Sequence, residues 1–396
     1  MFKWFSLSNI SAGFVAVLVG FTSSAVIVFQ AAAAAGATPE DFSSWLFALG
    51  LGMGLSTIGL SLYYRMPILT AWSTPGAALL VSSLSGFTLP EAIGAFMFTA
   101  LFTFISGVTG WFEKVMTRIP RSLASAMLAG ILLQFGLNIF VAMPHQPLLV
   151  ITLFLTYLIG RHLFPRYVII FVLSLGIVLA RYMGLFNLND FHVAFSTPHF
   201  IMPQFSLSAL ISVSIPLYVV TMTSQNIPGI AVFQAEGYKP PISSLISWTG
   251  FTTLLLAPFG GYSFNLAAVT AAICMGPQAE RDPSKRYRAT VWGGIFYLLT
   301  GIFGATVAAL LFTFPKELVL AVAGLALLNT IGNSLKVALK EEVNREPALI
   351  TFLLSASGIS LWGVGAAFWA LLAGGLGYVI NSTILSLREP TRVPSS

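Results

Sequence analysis

The sequence predicts an all-α polytopic membrane protein: fourteen transmembrane segments in two inverted seven-span repeats. Three observations carry this. Of 396 residues, 57% are hydrophobic and only 8% are charged, with a mean hydropathy of +0.88. A soluble domain carries roughly 25% charged residues, so a soluble enzyme, a disordered chain and a nucleic-acid binder are excluded. Apolar runs near the ~20 residues that cross a bilayer recur along the whole chain. The basic residues are also sorted to one side of those runs.

In order, the runs are 11–35, 42–64, 68–85, 89–112, 119–140, 146–163, 165–183, 206–233, 241–257, 259–276, 287–313, 315–336, 346–361 and 363–387. The first follows Lys3 but is too long for a signal-peptide core, so it reads as a span. The third and tenth are short. They open on Thr70-Ala71-Trp72-Ser73-Thr74-Pro75-Gly76 and Pro258-Phe259-Gly260-Gly261-Tyr262-Ser263-Phe264-Asn265. If all fourteen cross and the N-terminus is cytoplasmic, every one of the 19 basic residues except Arg181 and Lys316 falls on the cytoplasmic side. That asymmetry is the positive-inside rule, and it puts both termini in the cytoplasm of a bacterial-type inner membrane. The net charge of +6 is then loop charge rather than a nucleic-acid signal.

The halves match weakly but in order. Val28-Phe29-Gln30-Ala31 recurs as Val232-Phe233-Gln234-Ala235. Trp72-Ser73 with Ala77-Ala78 recurs as Tyr262-Ser263 with Ala267-Ala268. Gly107 and Gly110 match Gly301 and Gly304, and Ile119-Pro120-Arg121 matches Phe314-Pro315-Lys316. An odd number of spans per copy inverts the second copy, a pattern of secondary transporters.

Irregular backbone at membrane depth must be buried or line a cavity, so the two interrupted segments mark the candidate site. Ser73 or Thr74 can cap a half-helix with Pro75 in its first turn and Gly76 beside it. Ser263 or Asn265 can cap the partner half-helix. The two N-termini would then face each other, offering N–H groups and positive dipole ends to an anion. Trp72, Tyr262 and Phe264 add aromatic faces. In the eighth span Thr221, Thr223, Ser224, Gln225 and Asn226 crowd before Ile227-Pro228-Gly229. Helix–helix bonding explains such residues singly, but their concentration at a Pro-Gly break points to ligand contact. Thr22, Ser23 and Ser24 form a weaker counterpart in the first span. Gln30 and Gln234 read as local helix geometry. The candidate substrate-binding set is therefore Thr22, Ser23, Trp72, Ser73, Thr74, Gly76, Ser224, Gln225, Asn226, Tyr262, Ser263 and Asn265.

No cofactor, metal or nucleotide is implied. Cys274 is the single cysteine, the four histidines are scattered, and no G-x-x-x-x-G-K-[ST] loop occurs. No acid, base or histidine lies deep in a span, so a proton can be carried by a carboxylic acid substrate. The alternative carriers are Glu113, Glu236 and Glu280, near the cytoplasmic face.

Leu69-Thr70-Ala71-Trp72-Ser73-Thr74-Pro75-Gly76-Ala77-Ala78, Ser224-Gln225-Asn226-Ile227-Pro228-Gly229 and Ala271-Ala272-Ile273-Cys274 resemble the BenE-type benzoate/proton symporters, over essentially the whole chain. That family is similar in fold to uracil and xanthine permeases and to sulfate/bicarbonate transporters. The resemblance implies a core domain of spans 1–4 and 8–11 (residues 1–112 and 206–313). It implies a gate domain of spans 5–7 and 12–14 (residues 113–205 and 314–396). Nucleobase permeases carry substrate-binding carboxylates in spans 8 and 10; Gln225, Asn226 and Asn265 stand there instead, which suits an anion. The expected function is import of an aromatic carboxylate with a proton. The competing expectations are another small anion or a neutral heterocycle, or a channel, against which the clustering of polar residues at one depth argues. A membrane-embedded enzyme lacks a catalytic constellation. The expected partners are the substrate, the proton and the lipid bilayer; oligomeric state is open, a homodimer among the options.

Overall fold

The computed structural model describes residues 6–111, 120–165, 167–185, 193–267, 269–277, 279–362 and 364–388. The protein is mostly helical. Among the described residues, seven helices are long and apolar enough to cross a membrane, or up to nine if each bent pair is one span.

The helix starts follow from local sequence. Helix α1 is Leu7–Ala34 and α2 is Pro39–Tyr64. At α2, Thr38 Oγ1 accepts from Asp41 N at 3.2 Å, while the Asp41 carboxylate accepts from Thr38 N at 2.9 Å. Helix α4 (Leu89–Val108) repeats this capping box with Thr88 and Glu91. Asp41 and Glu91 are thus cap residues at span ends, satisfying N–H groups that the first turn leaves open.

The third segment is a strand, β1 (Thr70–Trp72), running into a short helix, α3 (Thr74–Ser83). After α5 (Arg121–Ala142), α6 (Pro147–Leu163) and α7 (Val168–Tyr182) comes an extended stretch. It is held by main-chain bonds from Ile201 N to the Pro258 carbonyl and from Gln204 N to the Pro90 carbonyl, 2.8 and 2.9 Å. His199 Nδ1 lies 2.7 Å from Asp41 Oδ1 along the same stretch.

The eighth segment, α8, runs from Leu207–Ala209 through Ile227–Ala235 with π-helical turns at Leu210–Ser214 and Met222–Asn226. Each π turn is followed two residues later by a proline, Pro216 or Pro228. Proline lacks the N–H that would bond the carbonyl four residues back, and the backbone takes wider i→i+5 bonds, Ile215 N to Leu210 O and Ile227 N to Met222 O.

Next come α9 (Ile242–Leu256), strand β2 (Phe264–Leu266) and α10 (Val269–Met275). Helices α11 (Tyr287–Ile302) and α12 (Gly304–Thr313) follow, bent by 61° at their break. There Ser196 N bonds the Ile302 carbonyl at 2.8 Å, satisfying an acceptor the bend would strand. The chain ends in α13 (Lys316–Ala338), α14 (Arg345–Ser357) and α15 (Ala366–Arg388).

The centre of the molecule is an antiparallel ladder, β1 on β2, with Thr70 opposite Leu266, Ala71 opposite Asn265 and Trp72 opposite Phe264. Close packing of α2 on α11 needs glycine: a Cβ on Gly50 would lie 2.5 Å from the Gly301 Cα. Two expectations are corrected here. The fold is mostly helical rather than all-α, because each interrupted segment opens with a short strand before its half-helix. Relative to the ladder, Ala267 stands where Ser73 stands, so Trp72-Ser73 and Tyr262-Ser263 are not equivalent; Trp72 faces Phe264.

Candidate functional site

A cavity of about 1050 Å³ lies against one side of the ladder. Small-molecule sites run roughly 300–1,000 Å³, so this space includes a vestibule as well as a binding site. Its inner end is walled by Phe21, Thr22 and Ser24 of α1, Ala71 and Trp72 of β1, and Thr74 and Pro75 of α3. Thr223, Ser224 and Gln225, on the second π turn of α8, Ala267, just before α10, and Thr270, in its first turn, complete it. Asn329, Thr330 and Asn333 of α13 line the same cavity.

The aromatic wall is fixed in place. Trp72 Nε1 donates to Ser24 Oγ at 2.8 Å, and Ser24 Oγ donates to the Gly20 carbonyl at 2.7 Å. Phe21 packs on the Trp72 ring with centroids 5.3 Å apart. Thr22, which lines the cavity, donates from Oγ1 to the Leu18 carbonyl at 2.6 Å, so its hydroxyl is left to act as an acceptor. Two flat rings beside hydroxyl and amide groups suit a ligand with an aromatic body and a polar end.

Ser73 caps α3 as expected, its Oγ accepting from Gly76 N at 3.0 Å. This consumes donors: Pro75 has no N–H and Gly76 gives its own to Ser73. Thr74 is the first-turn donor left for a ligand. The expected cap of the partner half-helix is corrected. Ser263 sits in the left-handed region at φ 44° and Asn265 lies inside β2, whereas α10 begins only at Val269.

Of the candidates, Thr22, Trp72, Thr74, Ser224 and Gln225 lie on the cavity wall. Ser73, Gly76, Asn226, Tyr262, Ser263 and Asn265 are buried behind it. The Ser23 side chain lies outside the described residues, as does Glu113. The buried group is a connected network. Thr221 Oγ1 bonds Ser73 Oγ at 3.1 Å and Ser263 Oγ at 2.6 Å. The Tyr262 hydroxyl donates to the Ser73 carbonyl at 3.3 Å, and Asn226 Oδ1 accepts from Leu266 N at 2.9 Å. These bonds tie α3, β2 and α8 into one unit and satisfy backbone polar groups that lipid could not. Asn265 Nδ2 donates to the Ser263 carbonyl at 3.1 Å.

Sequence reasoning missed Asn329, Thr330 and Asn333, together with Tyr157, Tyr297, Arg121 and Arg161 on the same wall. A signal existed for the first three. Asn329 and Asn333 are four apart and Thr330 and Asn333 three apart, so the three share a face of α13.

Comparison with known proteins fits this geometry. Residues 3–380 match the family described as BenE, benzoate membrane transport protein. The chain belongs to this family. A BenE-family relative, the benzoate membrane transport protein of Acinetobacter baylyi, is 40% identical over 375 residues, 95% of each chain. Inner membrane protein YdcO of Escherichia coli is 48% identical over 373 residues, 94% of this chain and 95% of that one. Among solved structures, the transmembrane domain of the cyanobacterial bicarbonate transporter BicA superposes with TM-score 0.59 at 13% identity, covering 95% of this chain and 98% of that one. SLC26A9 superposes with TM-score 0.63 at 12% identity, covering 97% of this chain and 66% of that one. This BenE-family chain is therefore a membrane transporter, not an enzyme, with a fold similar to that of BicA and SLC26A9.

Proposed function

We propose that this protein is a secondary transporter that imports an aromatic monocarboxylate of the benzoate type, together with a proton, across a bacterial inner membrane. The observation that carries the reading is the inner end of the cavity. The Phe21 and Trp72 rings stand beside Thr22, Thr74, Ser224 and Gln225, with no Asp, Glu or His among the described residues of the wall. An acid there would repel a carboxylate. Neutral hydroxyl and amide groups, with the start of α3, can instead donate to it. Desolvation disfavours the charged form of a carboxylic acid, so the substrate carries its own proton in this site.

The proposed architecture is fourteen spans in two inverted halves, with both termini cytoplasmic. A core domain comprises residues 1–112 and 206–313, a gate domain residues 113–205 and 314–396. The ladder and the cavity-facing turn of α8 belong to the core, and Asn329, Thr330 and Asn333 to the gate. Substrate bound between them would move as one domain shifts against the other.

Counterflow tests the reading. Proteoliposomes preloaded with unlabelled benzoate should accumulate labelled benzoate transiently, and aromatic monocarboxylates should compete better than uracil, sulfate or bicarbonate. Accumulation with sulfate or uracil preload and none with benzoate would reject the substrate class.

A further inference from the structure

The outer end of the same cavity differs in kind from the inner end. Arg121, at the start of α5, and Arg161, in the last turn of α6, line the cavity and are solvent-exposed, whereas Trp72 on its wall is buried, which places the arginines toward its open end. Among the described residues of the wall there is no Asp, Glu or His. Among the described ion pairs, none includes either arginine. The Arg161 guanidinium carbon lies 5.8 Å from the centroid of the Tyr157 ring, which also faces the cavity. That contact holds the cation at the wall, since a ring face attracts it.

We propose that Arg121 and Arg161 form a second anion-binding station at the mouth of the cavity, distinct from the inner site by Trp72. Its ligands are small monoanions, carboxylates foremost. Two cations in a cleft with low-dielectric walls, and with no acid among its described lining residues, focus a positive field into the space, raising the local concentration of anions. A guanidinium also matches a carboxylate with two parallel N–H donors. Among the described residues, the buried part of the wall around Trp72 carries no charged side chain. The two ends therefore favour different forms of one substrate, the neutral acid inside and the carboxylate at the mouth. In the proposed topology the mouth is cytoplasmic, so the station takes the substrate as it leaves. That the physiological ligand is the transported acid depends on the transport reading above; the charge selectivity of the mouth does not.

Ser125 lines the cavity one helical turn from Arg121, on the same face of α5. It provides a reporter that needs no knowledge of the substrate. In a Cys274→Ser background, Ser125→Cys is labelled with methanethiosulfonates bearing a sulfonate, a trimethylammonium or a methyl group. Rates are normalised to a free thiol. The sulfonate reagent should outpace the cationic one, by a ratio at least tenfold higher than in Arg121→Gln/Arg161→Gln. The double lysine variant should restore most of that ratio, and 1 M salt should collapse it. A ratio that changes less than twofold on removing both arginines, or a thiol the neutral reagent cannot reach, would overturn the proposal. Benzoate should protect Ser125→Cys only while the arginines are present. Charge selectivity without benzoate protection would keep the station and reject benzoate as its ligand.

Discussion

Gly260→Ala is expected to destabilise the protein by about 2–5 kcal/mol and to remove most transport with it. Gly260 has φ 92° and ψ 6°, in the left-handed region. A side chain there costs roughly 1–2 kcal/mol. The new Cβ would also fall 1.7 Å from Cδ1 of Trp45. That atom belongs to a rigid ring close to its own backbone, so it cannot swing aside. Trp45 is fully buried, packed on Phe96 and Tyr262 with ring centroids 5.5 and 6.2 Å away. Overpacking of this kind adds roughly 1–3 kcal/mol. Tyr262 bonds the Ser73 carbonyl, so displacement of Trp45 passes directly to the cap of α3. Gly59→Ala is the matched control: nothing lies within 4 Å of its added Cβ, and alanine favours a helix interior. Thermal unfolding in detergent should separate the two variants clearly. A Gly260→Ala protein that unfolds at the wild-type temperature would contradict the packing described for this turn.

Gln225→Ala is expected to weaken benzoate binding by about 10- to 100-fold, roughly 1.4–2.8 kcal/mol, with little change in stability. Gln225 faces the cavity from the second π turn of α8. Its amide is free to donate to a carboxylate oxygen or accept from a carboxylic O–H, and water replaces either bond poorly in a half-enclosed site. The adjacent residue should behave differently. Asn226 is buried and accepts from Leu266 N, so Asn226→Ala leaves a buried N–H of β2 without its partner. That loss costs roughly 1–3 kcal/mol of stability. Binding calorimetry and thermal unfolding on both variants should give opposite patterns. Gln225→Ala binding within twofold of wild type, or destabilised as strongly as Asn226→Ala, would remove Gln225 from the site.

Much of this was legible in the sequence because lipid imposes simple rules. Apolar length announced a mostly helical membrane protein, and the Gly/Pro clusters announced the breaks at Thr70–Gly76 and Pro258–Asn265. Ser73-Thr74-Pro75 announced the start of α3. The ladder was not legible. Three-residue strands have no periodicity to read, and these exist only because Thr70–Trp72 and Phe264–Leu266 meet across the fold. Nor could the sequence separate wall from support within the polar run of α8. The π turn changes the angular step per residue, turning Gln225 to the cavity and Asn226 to the ladder. Ser263 looked like a cap by composition, yet its positive φ and its bond to Thr221 make it a brace. Asn329 and Asn333 carried a readable helical spacing. Arg121 and Arg161 looked like ordinary loop charge, and only the cavity shows what they share.

In the proposed mechanism the substrate acid itself carries the proton. A monocarboxylate entering alone would be opposed by a negative-inside potential at about 2.3 kcal/mol per 100 mV; one proton per carboxylate makes the step electroneutral. The direct measurement is uptake of labelled benzoate into proteoliposomes under a pH gradient and a valinomycin-set potential, each imposed alone. An inward proton gradient should drive accumulation, the potential alone should not, and coupling should survive Glu113→Gln, Glu236→Gln and Glu280→Gln made singly. Accumulation driven by the potential at equal pH, or coupling lost in any one of those variants, would contradict it.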